Sequence, residues 1–241
     1  MRKRFGELLV LDGVDLRVGR GERVALLGPS GCGKSTLLGI VAGLDEADGG
    51  AVSAGGATGA RARLAQCALM PQRDLLLPWR SALDNACLAL ENQGRSQAEA
   101  RELARPLLAD LGLAEFERAR PSELSGGMRQ RVAFARTLLA GKELLLLDEP
   151  FGALDSLTRA SLQEWLRRAL ERERRTVLLV THDVEEALLL ADRVVVLSPR
   201  PGRVVAEIPV ELPRDACPRR ELILSAEFLE LRERALEAVE G

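Results

Sequence analysis

A chain of 241 residues, 46% of them hydrophobic, is long enough for one large α/β domain with a sizeable core and at most a small appendage. Its formal net charge of −2, with both signs interspersed, excludes the broad basic field of a nucleic-acid binder. No apolar run approaches the ~20 residues that cross a bilayer and no signal peptide opens the chain, so the sequence predicts a cytoplasmic chain that reaches a membrane only through a partner.

The first predicted strand runs over 10–18, where Val14, Leu16 and Val18 alternate with polar residues. After the turn Gly19-Arg20-Gly21-Glu22, Arg23-Val24-Ala25-Leu26-Leu27 reads as a buried strand. It enters Gly28-Pro29-Ser30-Gly31-Cys32-Gly33-Lys34-Ser35-Thr36, which fits Gly-x-x-x-x-Gly-Lys-Ser/Thr. Glycines at this spacing let successive N–H groups converge on a phosphate. Lys34 brings a point charge to the outer phosphates, and the Ser35 hydroxyl can ligate Mg²⁺. A helix over 36–42 then turns its positive N-terminus toward the phosphates.

Residues 45–63, rich in Gly and Ala, read as turns between short strands, and 64–72 as a strand-like run. From Ser81 to Glu117 the pattern is helical, with a capping box at Ser96 and Glu99 and a stop at Gly112. An all-helical insert between strands predicts a subdomain mounted on the α/β core. Leu124-Ser125-Gly126-Gly127 opens a further helix, a second cluster of free N–H donors at a positive dipole end. One chain with two anion-binding helix starts but one phosphate loop implies that the second serves a nucleotide held by another copy. Alternatively, Ser125 is a simple N-cap.

The second half alternates strand and helix, which predicts a mostly parallel sheet. Leu144-Leu145-Leu146-Leu147 runs into Asp148 and Glu149, so a buried strand presents two acids at its end. Asp148 is placed to hold Mg²⁺ through water, and Glu149 to polarise the water attacking the γ-phosphate. A helix over 156–172, a strand over 176–180, a helix capped at Asp183 and a strand over 194–197 follow; 221–240 reads as a terminal amphipathic helix. His182, the single histidine, lies between a buried strand and a helix start. Cys32, Cys67, Cys87 and Cys217 are scattered, which indicates neither zinc nor a disulfide framework.

The order and spacing of 28–36, Gln72, 124–131, Leu147-Asp148-Glu149-Pro150, Ala153-Leu154-Asp155 and Thr181-His182-Asp183 resemble those of ABC transporter ATP-binding subunits, over roughly residues 5–197. The resemblance implies a P-loop NTPase: a mostly parallel sheet core, an antiparallel β subdomain and an inserted helical subdomain. It implies an ATP-binding domain over 1–205 with the insert at about 74–127, and a tail over 206–241. By the same resemblance Glu149 is the catalytic base. Gln72 touches Mg²⁺ and the attacking water, and His182 contacts the γ-phosphate. Ser125, Gly126 and Gly127 clamp the γ-phosphate held by the opposite subunit, and Asp155 lies across that interface. Phe5 matches the aromatic that stacks on adenine, although a core position is the alternative. Two departures stand out: the strand before Phe5 is missing or only four residues long, and Pro71 replaces an aromatic before Gln72.

Leu77-Pro78-Trp79, the stretch from Pro150 to Arg159, and Ser198-Pro199-Arg200-Pro201-Gly202-Arg203-Val204 look like the nitrate/sulfonate/taurine-type importers. That branch implies an ATP-sandwich homodimer on the cytoplasmic face of the cell membrane, a permease dimer, a periplasmic or lipid-anchored solute-binding protein, and no nucleic acid. Trp79 with Leu75, Leu76 and Leu77 forms either an apolar docking patch for the permease or ordinary core. The rivals are a non-transport ABC ATPase acting on nucleic acid or ribosomes, and a monomeric small-molecule P-loop kinase with no use for 124–130.

Overall fold

The computed structural model, which describes residues 1–214 and 217–240, begins with an antiparallel hairpin, β1 (Arg2–Phe5) and β2 (Leu8–Asp12), bulged between Lys3 and Arg4. Strand β3 (Arg23–Leu27), helices α1 (Lys34–Ala42) and α2 (Ala60–Gln66), and strand β4 (Cys67–Met70) follow. The insert comprises α3 (Ala82–Asn92), α4 (Gln97–Asp110) and single 3₁₀ turns at Ala114–Phe116 and Pro121–Glu123. The alternation then runs α5 (Gly126–Leu139), β5 (Leu144–Asp148), α6 (Ser156–Glu173), β6 (Thr176–Val180), α7 (Val184–Leu190), β7 (Arg193–Leu197) and β8 (Val204–Pro209). Helices α8 (Arg219–Leu222) and α9 (Ala226–Glu240) end it.

The main sheet has the order β4-β5-β6-β3-β7-β8, parallel throughout except for the antiparallel edge pair β7/β8. Side chains alternate between its faces because successive strand residues point oppositely. Ala25, Leu27, Leu145 and Leu147 join the core formed with α3–α7 and α9, whereas Val24, Leu26 and Leu146 join the core formed with α1 and β2. Burial on both faces explains why these strands are unbroken apolar runs. Parallel strands also share one C-terminal edge, where the loops after β3, β4, β5 and β6 all emerge.

Four sequence expectations are corrected. Residues 14–18 form no strand: no neighbouring strand offers a ladder, and Val14 donates its N–H to the Met1 carbonyl while its side chain is buried. Their alternation reflects packing alone. Residues 45–59 contain only single bridges, Arg2 with Gly49 and Ala54 with Ala57, and Ala60–Gln66, free of β-branched residues, forms α2, so the strand expected over 64–72 is confined to β4. The terminal helix is two: Ser225 interrupts it, its hydroxyl accepting from the Phe228 N–H to cap α9. The expected boundary at 205 falls inside β8, and Phe228, Leu231 and Ala235 of α9 are buried in the main core. Within the expected tail, Asp215, Ala216 and Gly241 lie outside the described residues.

The capping box forms as predicted: Ser96 Oγ accepts from the Glu99 N–H while Glu99 Oε2 accepts from the Ser96 N–H at 2.9 Å. Among the described residues no helix is long and apolar enough to cross a membrane.

Candidate nucleotide site

The loop between β3 and α1 takes its shape from glycine. Gly33 has φ +110°, and a Cβ there would lie 2.6 Å from Leu11 Cδ2. A Cβ on Gly28 would lie 2.7 Å from the Leu197 carbonyl oxygen. The loop is therefore threaded between β2 and the end of β7 with no room for side chains at these two points. Pro29, Ser30, Gly31 and Cys32 complete it, Cys32 being buried. Lys34 is buried, its Nζ donating to the carbonyls of Gly28 at 2.7 Å and Pro29 at 3.0 Å, so the ammonium is held over the loop. Ser35 and Thr36 follow in the first turn of α1, where unpaired N–H groups and the dipole favour an anion.

The register of the sheet brings the acids to this loop. Asp148 ends β5 opposite Val180, and the Ser35 hydroxyl lies near enough to its buried carboxyl to favour the ionised form. Burial pushes the Asp148 carboxyl above its ordinary range; the Ser35 hydroxyl and Lys34 oppose that, while Glu149 adds to it. A nearby cation favours the ionised form. Glu149 leaves the strand with φ +48°, a left-handed backbone rare outside glycine. Its N–H donates to the Val180 carbonyl at 2.9 Å, and its own carbonyl accepts from Gln130 Nε2 at 3.4 Å.

The side chain of Glu149 gathers two of the predicted residues. Gln72 Nε2 donates to its Oε2 at 3.2 Å, and His182 Nδ1 lies 3.5 Å from the same oxygen. Gln72 stands two residues beyond β4, and His182 two beyond β6, so the ends of three adjacent strands converge on one carboxylate. Ser35 and Asp148 bring a hydroxyl and a carboxyl together, and Gln72, held at Glu149, carries an amide oxygen; all three are hard oxygen donors. That set fits Mg²⁺, which keeps several waters and takes phosphate oxygens for the rest of its shell.

Ser125, Gly126 and Gly127 form a separate group. Ser125 caps α5, its Oγ accepting from the Met128 N–H at 3.2 Å. A Cβ on Gly127 would meet Leu154 Cδ2 at 3.0 Å, which sets this helix start beside the stretch that carries Asp155. Asp155 caps α6 by accepting from the Thr158 N–H at 3.0 Å, and its bonds to Thr158 hold its carboxyl below the ordinary value. Phe5 is 51% exposed, which excludes the core alternative, and Lys3 Nζ sits 4.9 Å from its ring centroid. Trp79 and Leu75 are likewise exposed, while Leu76 packs against the core, so that stretch divides between the two expectations.

Several contacts carry no local sequence signal. Arg200, in the Pro-Arg-Pro-Gly turn, donates from Nε and Nη2 to the Gly31 carbonyl at 2.9 and 2.7 Å, bracing the phosphate loop. Arg129 Nε donates to Asp74 Oδ2 at 3.0 Å, and Arg136 donates to the carbonyls of Asp74 and Leu75, tying the residues after Gln72 to α5.

With the geometry in place, relatives are informative. The sequence profile of the family described as ABC transporter matches residues 11–152. The aliphatic sulfonates import ATP-binding protein SsuB 1 of Rhodococcus jostii is 54% identical over 196 residues, covering 81% of this chain and 76% of that protein. The taurine import ATP-binding protein TauB of Chromobacterium violaceum is 46% identical over 231 residues, covering 94% and 87%. Among solved structures, the dimeric post-hydrolysis state of the ATP-binding cassette MJ0796 bound to ADP and Pi superposes with a TM-score of 0.79 at 31% identity, covering 87% of this chain and 95% of that one. The glycine loop, the paired acids at the end of β5 and these likenesses lead to one conclusion: the chain belongs to the ABC transporter family, as one of its ATP-binding subunits.

Proposed function

We propose that this chain powers import of a small anion of the sulfonate or taurine kind, as a homodimer that sandwiches two ATP on the cytoplasmic face of a membrane permease dimer. The solute class comes from the names of the relatives SsuB 1 and TauB. A solute-binding protein on the far side of the membrane completes the system. The ATP-binding domain carries the helical insert at about 74–127, and the C-terminal segment packs against it.

In this reading the N–H groups of 28–36 and the Lys34 ammonium hold the β- and γ-phosphates, and Phe5 stacks on adenine. Ser35, Gln72 and Asp148 hold Mg²⁺, which when bound neutralises phosphate charge and polarises the γ-phosphoryl group. Glu149 Oε2 accepts the proton of the attacking water, Gln72 orients that water, and His182 contacts the γ-phosphate. Ser125, Gly126 and Gly127, with Asp155, complete the site of the opposite subunit, so chemistry waits for the dimer to close.

The observation that carries this reading is the meeting of Gln72 and His182 at one oxygen of Glu149. Replacing Glu149→Gln keeps the shape and removes the base. Calorimetry should find ATP affinity retained, turnover should fall about 10²–10⁴-fold, and gel filtration should show an ATP-stabilised dimer. Hydrolysis at the wild-type rate would falsify the assignment of Glu149.

A further inference from the structure

A line of buried polar side chains connects the C-terminal segment to the turn that holds His182. Arg219 of α8 donates from Nη1 to Gln163 Oε1 at 2.7 Å. Gln163, on α6, donates from Nε2 to Glu186 Oε2 at 3.1 Å. Glu186, on α7, donates its N–H to Asp183 Oδ1 at 3.1 Å, and the nearby Thr181 hydroxyl favours its ionised carboxyl. Thr181 Oγ1 in turn accepts from the Asp183 N–H at 3.0 Å. Thr181 and Asp183 flank His182, so one hydroxyl staples both sides of its turn.

The polarity of this line is dictated, not incidental. An arginine only donates, so Gln163 Oε1 must face Arg219 and its Nε2 is left to donate to Glu186, whose Oε2 accepts whether the acid is ionised or protonated. Gln163, Glu186 and Thr181 are each buried, at 2%, 4% and 2% exposure, where an unpaired polar group is costly and each bond restrains the next. The backbone at Thr181 is fixed separately, its N–H donating to the Leu26 carbonyl at 3.2 Å. What the side-chain line adds is the pose of the turn itself. A small cavity lined by Glu149, Arg159, His182 and Glu186 lies alongside, and Arg159 Nε and Glu186 Oε1 are buried without hydrogen-bond partners.

We propose that Glu186 is a positioning residue for His182, and that Arg219 of the C-terminal segment acts on ATP hydrolysis through Gln163 and Glu186. The inference rests on the reading of His182 as the residue that contacts the γ-phosphate. A segment outside the catalytic strands thereby sets the rate of the chemical step without touching nucleotide, and anything that displaces α8 slows turnover.

The test is a double-mutant cycle on ATP hydrolysis by the full chain, with Arg219→Ala, Gln163→Leu and the pair. Each single change should lower kcat by about three- to tenfold with KM for ATP within about twofold, because the line acts on the γ-phosphate contact rather than on binding. The double variant should lose no more than the worse single one, since both cut the same connection. Thermal unfolding of each variant, followed in parallel, confirms that the chain is folded. Should Gln163→Leu fail to fold, Arg219→Ala, which alters a half-buried residue, decides alone. Wild-type kcat in Arg219→Ala, or losses that multiply in the double variant, overturns the inference. His182→Ala is the control. If it abolishes turnover while Arg219→Ala changes nothing, this inference alone fails; if it turns over at the wild-type rate, the reading of His182 fails and takes the inference with it.

Discussion

Glu186→Gln should make the protein more stable, and the gain should grow with pH. Burial is the main reason that the Glu186 carboxyl is pushed up from the ordinary 4.5 to about 7; the nearby Thr181 hydroxyl, the Gln163 bond and Arg159 oppose it, and Asp183 reinforces it. Between those two pH values the folded chain holds a proton that the unfolded chain has released, so stability falls as pH rises. The displacement from 4.5 to about 7 corresponds to about 3 kcal/mol, present below pH 4.5 and lost once pH passes 7. Glutamine imitates the protonated acid and does not titrate. Urea unfolding of wild type and variant, at intervals from pH 4.5 to 8, should show the two nearly equal at the acid end. The variant should lead by about 3 kcal/mol at pH 8, rising by about 1.4 kcal/mol per pH unit between. Taking the difference cancels the other titrating groups. A difference flat with pH, or a variant that weakens toward pH 8, refutes the reasoning.

Two further outcomes are expected. Gly33→Ala forces φ +110° on a residue with a Cβ and drives that Cβ to 2.6 Å from Leu11 Cδ2, so urea unfolding should show a loss of about 2–4 kcal/mol, with weakened ATP binding by calorimetry. An unchanged midpoint counts against the threaded loop. Trp79→Glu alters a side chain 70% exposed, so stability should stay within about 0.5 kcal/mol and ATP hydrolysis by the isolated chain should be unaltered. Copurification of an integral membrane partner from solubilised membranes should be lost; if it persists, Trp79 is no part of the docking surface.

What the sequence makes legible is whatever a local rule enforces. The spacing of Gly28, Gly33 and Lys34 follows from backbone geometry, and the structure places all three in one loop. Four leucines running into Asp148 and Glu149 specify a buried strand with acids at its end, and β5 is that strand. Alternation at Val14, Leu16 and Val18 misleads because period 2 reports which side chains pack and says nothing of a neighbouring ladder. The helix α2 is hidden among glycines and lacks an apolar period. Contacts spanning the chain are invisible for a different reason. Gln163 and Glu186 are 23 residues apart, and Gln163 and Arg219 are 56 apart, with no motif marking either pair.

The left-handed backbone of Glu149 shows why the site needs its distant supports. Along a strand, successive side chains point to opposite faces, so Asp148 and Glu149 in an unbroken strand would address different sides of the sheet. Turning the chain at φ +48° leaves Asp148 buried against Ser35 and swings Glu149 to meet Gln72 and His182. A non-glycine residue pays about 1–3 kcal/mol for that conformation, so the surroundings must hold it. They do so with the Val180 carbonyl on one side and Gln130 on the other. Val180 directly precedes Thr181, whose hydroxyl fixes the turn of His182. The end of β6 thus anchors both the backbone of the proposed base and the turn that meets its carboxylate. Gln130 belongs to α5, the helix that Ser125 opens. The backbone of Glu149 is thereby tied to the same helix that Ser125 caps.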